Sequence, residues 1–286
     1  MKCAWEQFLH LLPPWMRQDV DMLGRDGCQE LRLRIGSPPQ LIVNRKYIDL
    51  PGMVREDDMS YIVNAASRYS PWAAASCAKG YITGPGGHRI GLCGDVVIHD
   101  GIVTGIRNLS SLCLRVARDF PGISQSLWKR DGSILILGSP GWGKTTLLRD
   151  LIRQRSHYRQ EAIAVVDERG ELFPSPNGRS CFSKGLHTDI LTGCEKAAGI
   201  EILLRTMGPD CIAVDEITAS RDCEAMIQAG WCGVSLLATA HASSKDEYFK
   251  SPVYRPLAES GLFSTLVVLH QDRSWHEERM ELCTIR

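Results

Sequence analysis

The sequence predicts an α/β protein: a domain built on a parallel sheet with helices on both faces, preceded by a smaller α+β domain. Three observations carry this. Five short apolar runs recur at 134–137, 162–166, 212–214, 234–238 and 265–269, with helical segments between several of them. Continuous apolar runs are how strands read when crossover helices bury both sides of a sheet. The stretch GSPGWGKT at 138–145 joins the first run directly to the helical segment TTLLRDLIRQR. Before residue 130 the pattern is mixed, and 286 residues are comfortable for two domains.

Taken in order, residues 4–12 and 16–23 have helical spacing, ELRLRI at 30–35 alternates as a strand, and 57–69 again places apolar residues at helical spacing. Residues 80–106 form short β segments broken at GPGG and HDG, the composition of successive hairpins, and 110–117 adds one more strand. DFPGISQSLWKRDG at 119–132 carries Pro, Gly, Ser and charge without periodicity and is expected as a linker. The expected domains are therefore an N-terminal α+β domain over 1–118, a linker over 119–132 and the parallel-sheet domain over 133–286.

Composition narrows the function. Hydrophobic residues make up 44% and charged residues 23%, ordinary globular usage, so global disorder is excluded. Lys plus Arg balance Asp plus Glu at thirty-three each, without the basic excess of a dedicated nucleic-acid module. Eleven cysteines are scattered with no CxxC pair, which suits reduced thiols in cytosol better than zinc or a disulfide framework. The opening MKCAWEQFLHLLPPWM has an acid and paired prolines inside its apolar segment, unlike a signal peptide, and no apolar run approaches the roughly 20 residues of a membrane span. The expectation is a soluble cytoplasmic protein, still able to dock on a membrane protein.

GSPGWGKT matches G-x-x-x-x-G-K-[ST] in the strand-then-helix context that the mechanism requires. Gly138, Gly141 and Gly143 let the backbone wrap phosphate oxygens with its N–H groups inward, at a helix N-terminus whose dipole favours anions. The nucleotide-binding set is Gly138, Ser139, Pro140, Gly141, Trp142, Gly143, Lys144, Thr145 and Thr146. Lys144 is expected on the β and γ phosphates of ATP and Thr145 on Mg²⁺. The bulk of Trp142 has no explanation in the sequence.

Hydrolysis also needs a carboxylate for the metal and a group to orient water. CIAVDE at 211–216 ends an apolar strand in two acids, at the strand edge where open α/β sheets bind ligands. Asp215 is expected in the magnesium shell and Glu216 on the water. AIAVVDERGEL at 162–172 ends similarly; if its strand neighbours the other, Asp167 joins the metal shell and Glu168 and Glu171 the catalytic set. His241, after VSLLATA, is placed for a γ-phosphate contact. The plainer alternative, that acids at strand ends are solvated loop residues, stands beside these readings.

The order of these blocks, with GLHTDILTGCEKAAGIEILLRTMGPDCIAVDEI and GVSLLATAHASS, resembles the stage III sporulation protein AA family, related to type II secretion and type IV pilus ATPases. ELRLRIGSPPQL, GYITGPGGHRIGLCGDV and LCLRVAR extend the resemblance into the N-terminal part. In those ATPases the elements are called Walker A, Asp box, Walker B and His box, and here they fall at 138–145, 167–171, 211–216 and 241. The resemblance implies a RecA-like P-loop NTPase domain and a homo-oligomeric, hexameric ring. It also implies ATP sites at subunit boundaries completed by arginines of the smaller domain. Arg89 and Arg115 match those arginines by position, and a guanidinium fork suits developing γ-phosphate charge. The implied role is to energise a channel complex of integral membrane proteins during endospore formation, from the mother-cell side. Two places depart from the family pattern: His187 replaces an arginine, and DEITASRD stands where DEIGR is usual, so Thr218 and Ala219 remove a flexible glycine and a charge.

Two rival classes remain. A RecA-like nucleic-acid-dependent ATPase would want a basic groove with stacking aromatics, which neither the charge balance nor the spread of tryptophans supports. A nucleotide-gated scaffold that scarcely turns over is disfavoured by the paired carboxylates.

Overall fold

The structure, a computed structural model, describes residues 3–67, 80–175 and 179–280. The chain divides into two units, Met1–Asp119 with Pro174–Cys181, and Phe120–Phe173 with Phe182–Arg286.

In the first unit, α1 (Trp5–Leu11) stops where Leu12 turns extended ahead of two prolines, and Pro14 begins α2 (Pro14–Gly24). Proline at the first helical position loses nothing, because that N–H has no partner within the helix anyway. Six antiparallel strands follow around α3 (Glu56–Ser67): β1 (Cys28–Arg34), β2 (Gln40–Val43), β3 (Lys46–Asp49), β4 (Tyr81–Thr83), β5 (Arg89–His99) and β6 (Ile102–Arg115), in the order β3-β2-β1-β6-β5-β4. Leu31, Leu33, Ile90, Leu112 and Leu114 share one sheet face and pack with Phe8, Leu11, Val20, Met59 and Ile62 of the helices. Residues 68–69 of the expected third helix lie outside the described residues.

One expectation is corrected here. Residues 80–106 form the expected successive hairpins, β4–β5 turning at GPGG and β5–β6 turning at HDG, but the strand expected at 110–117 is not separate: it is the second half of β6, which runs unbroken from Ile102 to Arg115. Asp100 and Gly101 both adopt positive φ, 50° and 76°, the two-residue turn that matches strand twist. Gly94 sits in a bulge between Cys93 and Asp95, where a Cβ would lie 2.6 Å from the Arg107 carbonyl oxygen.

The second unit contains β7 (Ser133–Leu137), α4 (Lys144–Tyr158), β8 (Ile163–Asp167), β9 (Thr188–Thr192), α5 (Lys196–Thr206), β10 (Cys211–Ile217), α6 (Ser220–Trp231), β11 (Ser235–Ala240), α7 (Lys245–Lys250), α8 (Arg255–Glu259), β12 (Phe263–Leu269) and β13 (Trp275–Arg279). The sheet runs β13-β12-β7-β11-β10-β8-β9, parallel throughout except for edge strand β13. Alternate strand residues feed two cores. Ile134, Ile136, Ile163, Val165 and Leu237 meet Leu147, Leu148, Leu151 and Ile152 of α4. Leu135, Leu137, Val166, Val214 and Leu236 meet Ile200 and Leu203 of α5 and Met226 and Ala229 of α6. All five expected apolar runs are strands; β9 and β13 are additional. Among the described residues no helix is long and apolar enough to cross a membrane.

The segment expected as a linker is largely held on α4. Ser124 and Leu127 are buried, and Asp150, 1% exposed, accepts the Gly122 amide at 2.9 Å and the Ser124 amide and hydroxyl at 2.7 Å each. Gln154 and Arg153 also donate to that carboxylate. Arg155, fully buried, donates to the carbonyls of Arg130 and Gly132. The helix therefore presents a polar face to this stretch of chain, which explains why 119–132 shows no apolar periodicity of its own.

Burial alone would raise the Asp150 carboxyl, but the Ser124 and Gly122 amides, the Ser124 hydroxyl and Arg153 hold it below its ordinary value. Its contribution to stability is present above the unfolded-state value of about 3.9 and lost as pH falls through the lower folded value. Asp150→Ala should destabilise the protein by about 3–5 kcal/mol, because it leaves buried donors unpaired. Urea denaturation at pH 7 measures this, and a loss below about 1 kcal/mol, typical of an exposed pair, would contradict it.

Candidate nucleotide site

β7 ends at Leu137, and the chain then turns through Gly138–Gly143 into α4. Gly141 and Gly143 have φ of 77° and 105°, where a side chain would be strained, and nothing lies within 4 Å of a Cβ built on either. Gly138 is small for a different reason: a Cβ there would meet Leu269 at 3.1 Å. Trp142 is partly buried against the α4-side core, its ring 3.6 Å from that same Cβ position. Its bulk thus lies against the start of the loop, where Ser139 is half-buried and Pro140 exposed.

Six residues close a hydrogen-bonded circuit around this loop. The Lys144 ammonium donates to the carbonyls of Gly138 at 2.7 Å and Ser139 at 3.1 Å, and lies 3.1 Å from His241 Nδ1. An ammonium can only donate, so Nδ1 accepts, and His241 Nε2 carries the proton given to Glu216 Oε1 at 2.5 Å. The Glu216 amide donates to the Thr239 hydroxyl at 2.7 Å, and that hydroxyl donates to Asp215 Oδ1 at 2.7 Å. Thr145 Oγ1 donates to Asp215 Oδ2 at 2.8 Å, and Thr145 adjoins Lys144 in the chain. Thr146 follows at the same helix start, half-buried.

Electrostatics follow from this geometry. Burial lowers the Lys144 ammonium from its ordinary value, against the charges of Asp215 and Glu216. Burial works to raise Glu216, but the His241 hydrogen bond, aided by Arg169 at 3.3 Å and Lys144, holds it below its ordinary value. Thr145 and Asp215 converge as hard oxygen donors. Among the described residues no group of three or more His, Cys, Asp and Glu converges as a metal site. A divalent ion here would accordingly take a hydroxyl and a carboxylate from the protein and its other oxygens from phosphate and water, which is how Mg²⁺ binds in nucleotide sites.

β8 does neighbour β10, as the second acidic set requires. Asp167 nevertheless uses both oxygens on its own loop, accepting the Glu171 amide at 2.8 Å and the Phe173 amide at 2.9 Å. The Glu168 carboxylate lies 2.5 Å from the ammonium of Lys196, which begins α5. The Glu171 carbonyl accepts from buried Arg149. Arg89 and Arg115 belong to the first unit, opposite each other on β5 and β6, on the face away from its core. Arg89 lies over the Tyr81 ring at 4.0 Å, and Arg115 pairs with Glu30 at 3.2 Å. His187 is exposed and enters the structure through its amide, which donates to Ser156 Oγ. The Thr218 and Ala219 amides donate to Asp222, closing the start of α6.

Sequence reasoning missed Thr239, Lys196, Arg169 and Tyr254. Tyr254 accepts the His241 amide and donates to the Ile217 carbonyl, tying the ends of β11 and β10 together. Arg169 lies inside DERGEL and Thr239 two residues before His241, so both adjoined motifs already marked.

A glycine loop between the first central strand and its helix, with acids and a histidine converging on it from the next strands, defines a P-loop protein, and its fold is that of the ATPase DotB and the pilus retraction motor PilT. The ATPase DotB of Yersinia pseudotuberculosis superposes with a TM-score of 0.61 at 17% identity, covering 94% of this chain and 79% of that one. The pilus retraction motor PilT with bound ADP gives 0.59 at 15% identity, covering 88% and 76%. The family Sporulation stage III, protein AA, matches residues 6–279. Stage III sporulation protein AA of Bacillus subtilis (strain 168) is 35% identical over 254 residues, 84% of this chain and 82% of that protein. The chain belongs to the stage III sporulation protein AA family.

Burial raises the Asp167 carboxyl to about 6; the Phe173 and Leu172 amides and Arg149 oppose that shift and the Asp215 charge adds to it. A raised folded value means that the stability from keeping this acid protonated is full below the unfolded value of about 3.9 and lost as pH rises through the folded value. Carboxyl ¹³C NMR should show Asp167 titrating near 6; a midpoint near 4 would contradict the burial argument.

Proposed function

We propose that this protein is a Mg²⁺-dependent ATPase that works as a homo-oligomeric ring, a hexamer, energising a transenvelope channel complex during endospore formation. The observation that supports it best is the closed circuit from Lys144 and Thr145 through Asp215, Thr239, Glu216 and His241. It gathers a phosphate-binding cation, a metal-binding hydroxyl and a hydrogen-bonded acid at one strand edge. In this reading residues 133–286 form the motor domain, 1–118 the smaller domain, and integral membrane proteins of the channel complex are the partners on the mother-cell side.

The Gly138–Gly143 backbone cradles the phosphates, with Ser139, Pro140 and Trp142 shaping the loop and Thr146 extending the helix-end donors. Lys144 neutralises β and γ oxygens. Thr145 and Asp215 would hold Mg²⁺, which would supply neutralising charge to the phosphates. Glu216, kept ionised by His241 and Arg169, orients the attacking water and accepts its proton; Glu171 stands as a second acid near the same crevice. His241 lies between Lys144 and Glu216 and can turn its Nε2 proton to a γ-phosphate oxygen. Asp167 and Glu168 act on the protein, one shaping its loop and the other pairing with Lys196. Arg89 and Arg115 of a neighbouring subunit offset charge on the transferring phosphate.

Three outcomes are expected. ATP turnover should require Mg²⁺, rise with protein concentration, vanish in Lys144→Ala and fall by about 10²-fold or more in Glu216→Gln. Single-stranded DNA or RNA should leave the rate unchanged, whereas severalfold stimulation would favour the nucleic-acid-dependent reading. Arg89→Ala and Arg115→Ala should each lower kcat more than they raise KM; an arginine whose removal changes neither does not belong to the site. A steady-state assay over a range of protein concentrations measures all three.

A further inference from the structure

We infer that Thr239 is the positioning residue of this site: its hydroxyl fixes Asp215 and Glu216 in the one arrangement that separates a metal-facing acid from a water-facing acid. The inference rests on the nucleotide-hydrolysing reading above.

Thr239 is fully buried in SLLATA, an otherwise apolar part of β11. Regular pairing between β10 and β11 runs to Val214 opposite Ala238 and resumes at Ile217 opposite Ala240. Two residues of β10, Asp215 and Glu216, therefore stand against one of β11, Thr239. Such an extra residue disturbs the ladder and re-aims side chains. Glu216 takes the left-handed conformation, φ 57°, which an acid with a Cβ adopts only where its surroundings hold it.

The Thr239 side chain takes up what the interrupted ladder leaves. Its oxygen accepts the Glu216 N–H, and its single proton goes to Asp215 Oδ1, each at 2.7 Å. One hydroxyl thereby pins the backbone of one acid and the side chain of the other. With Oδ1 held by Thr239, Oδ2 turns to Thr145 at 2.8 Å. With its amide held, Glu216 points to His241 and Arg169 on the opposite side. Remove the hydroxyl and both tethers go together, leaving a partly buried N–H without that acceptor and the Asp215 carboxylate held by Thr145 alone.

Thr239→Val keeps the shape and removes both tethers; Thr239→Ser keeps the hydroxyl. Thr239→Val should lower kcat by at least about tenfold with KM for ATP within about twofold of wild type. It should also weaken Mn²⁺ binding to the protein–ADP complex, read by electron paramagnetic resonance, by at least about tenfold. ADP affinity in EDTA should be unchanged. Thr239→Ser should restore kcat and Mn²⁺ affinity to within about twofold. If the valine variant does not fold, Thr239→Ala removes the hydroxyl without adding bulk and takes its place. Wild-type kcat and Mn²⁺ affinity in the valine variant overturn the inference, as does a serine variant as impaired as the valine one. Wild-type protein that binds ADP and Mn²⁺ but hydrolyses no ATP overturns the hydrolytic reading instead, and the Mn²⁺ comparison then still decides whether Thr239 positions Asp215.

Discussion

The constraint on which the site depends is the position of β11 between β7 and β10. β7 launches the glycine loop and β10 ends in the two acids. Because all three strands are parallel, their carboxyl ends lie at one edge, and the strand between them supplies whatever bridges the two. β11 supplies Thr239 toward β10 and His241 toward both sides. A different strand order with the same residues would leave Lys144 and Glu216 without their shared histidine. Sheet topology therefore determines the chemistry here more than any single motif does, and topology in turn follows from burying two apolar faces under α4 on one side and α5 and α6 on the other.

The same reasoning explains what could be read without coordinates. Strands buried on both faces advertise themselves as apolar runs, and each of the five such runs is a strand. β9 and β13 lie at the two edges of the sheet, with the sequences TDILT and WHEER half exposed, so polar residues break their pattern as edge protection requires. In the first unit the glycines of GPGG and HDG mark the turns of β4–β5 and β5–β6, whereas nothing in the sequence tells that the strand after HDG runs unbroken to Arg115. At the site, Lys144, Thr145, Asp215, Glu216 and His241 were legible since each follows an apolar run at the carboxyl edge. Thr239 was not, because a hydroxyl inside a strand reveals nothing of the partner that another strand brings to it. Asp167 shows the converse: its place in the sequence matches that of Asp215, yet the following loop folds back and takes both of its oxygens.

Local strain and burial are concentrated where these strands meet. Glu216 is a non-glycine residue in left-handed backbone, Asp167 is an acid with its pKa raised by burial, and Lys144 is an ammonium lowered by it. Each costs stability taken alone. They persist because apolar strands rigid on both faces hold them, and because the hydrogen bonds join into a circuit in which each group restrains the next. A site of this kind has little freedom to reorganise during a reaction, which is the condition under which fixed charges stabilise a transition state better than water does.

Charge bears on the proposed ring as well. Within the second unit Lys144 and Arg169 face the carboxylates of Asp215 and Glu216, so the cations present are largely matched by acids already there. A triphosphate adds further negative charge, and hydrolysis spreads it over the terminal oxygens. In the first unit, the sheet face away from the core carries Arg32, Arg34, Arg89 and Arg115, with Glu30 pairing Arg32 and Arg115. Guanidinium groups stay charged at any working pH and present a planar fork to phosphate oxygens. On the proposed reading that face serves a neighbour's nucleotide, where its guanidinium groups would add positive charge to a site whose own cations already face acids.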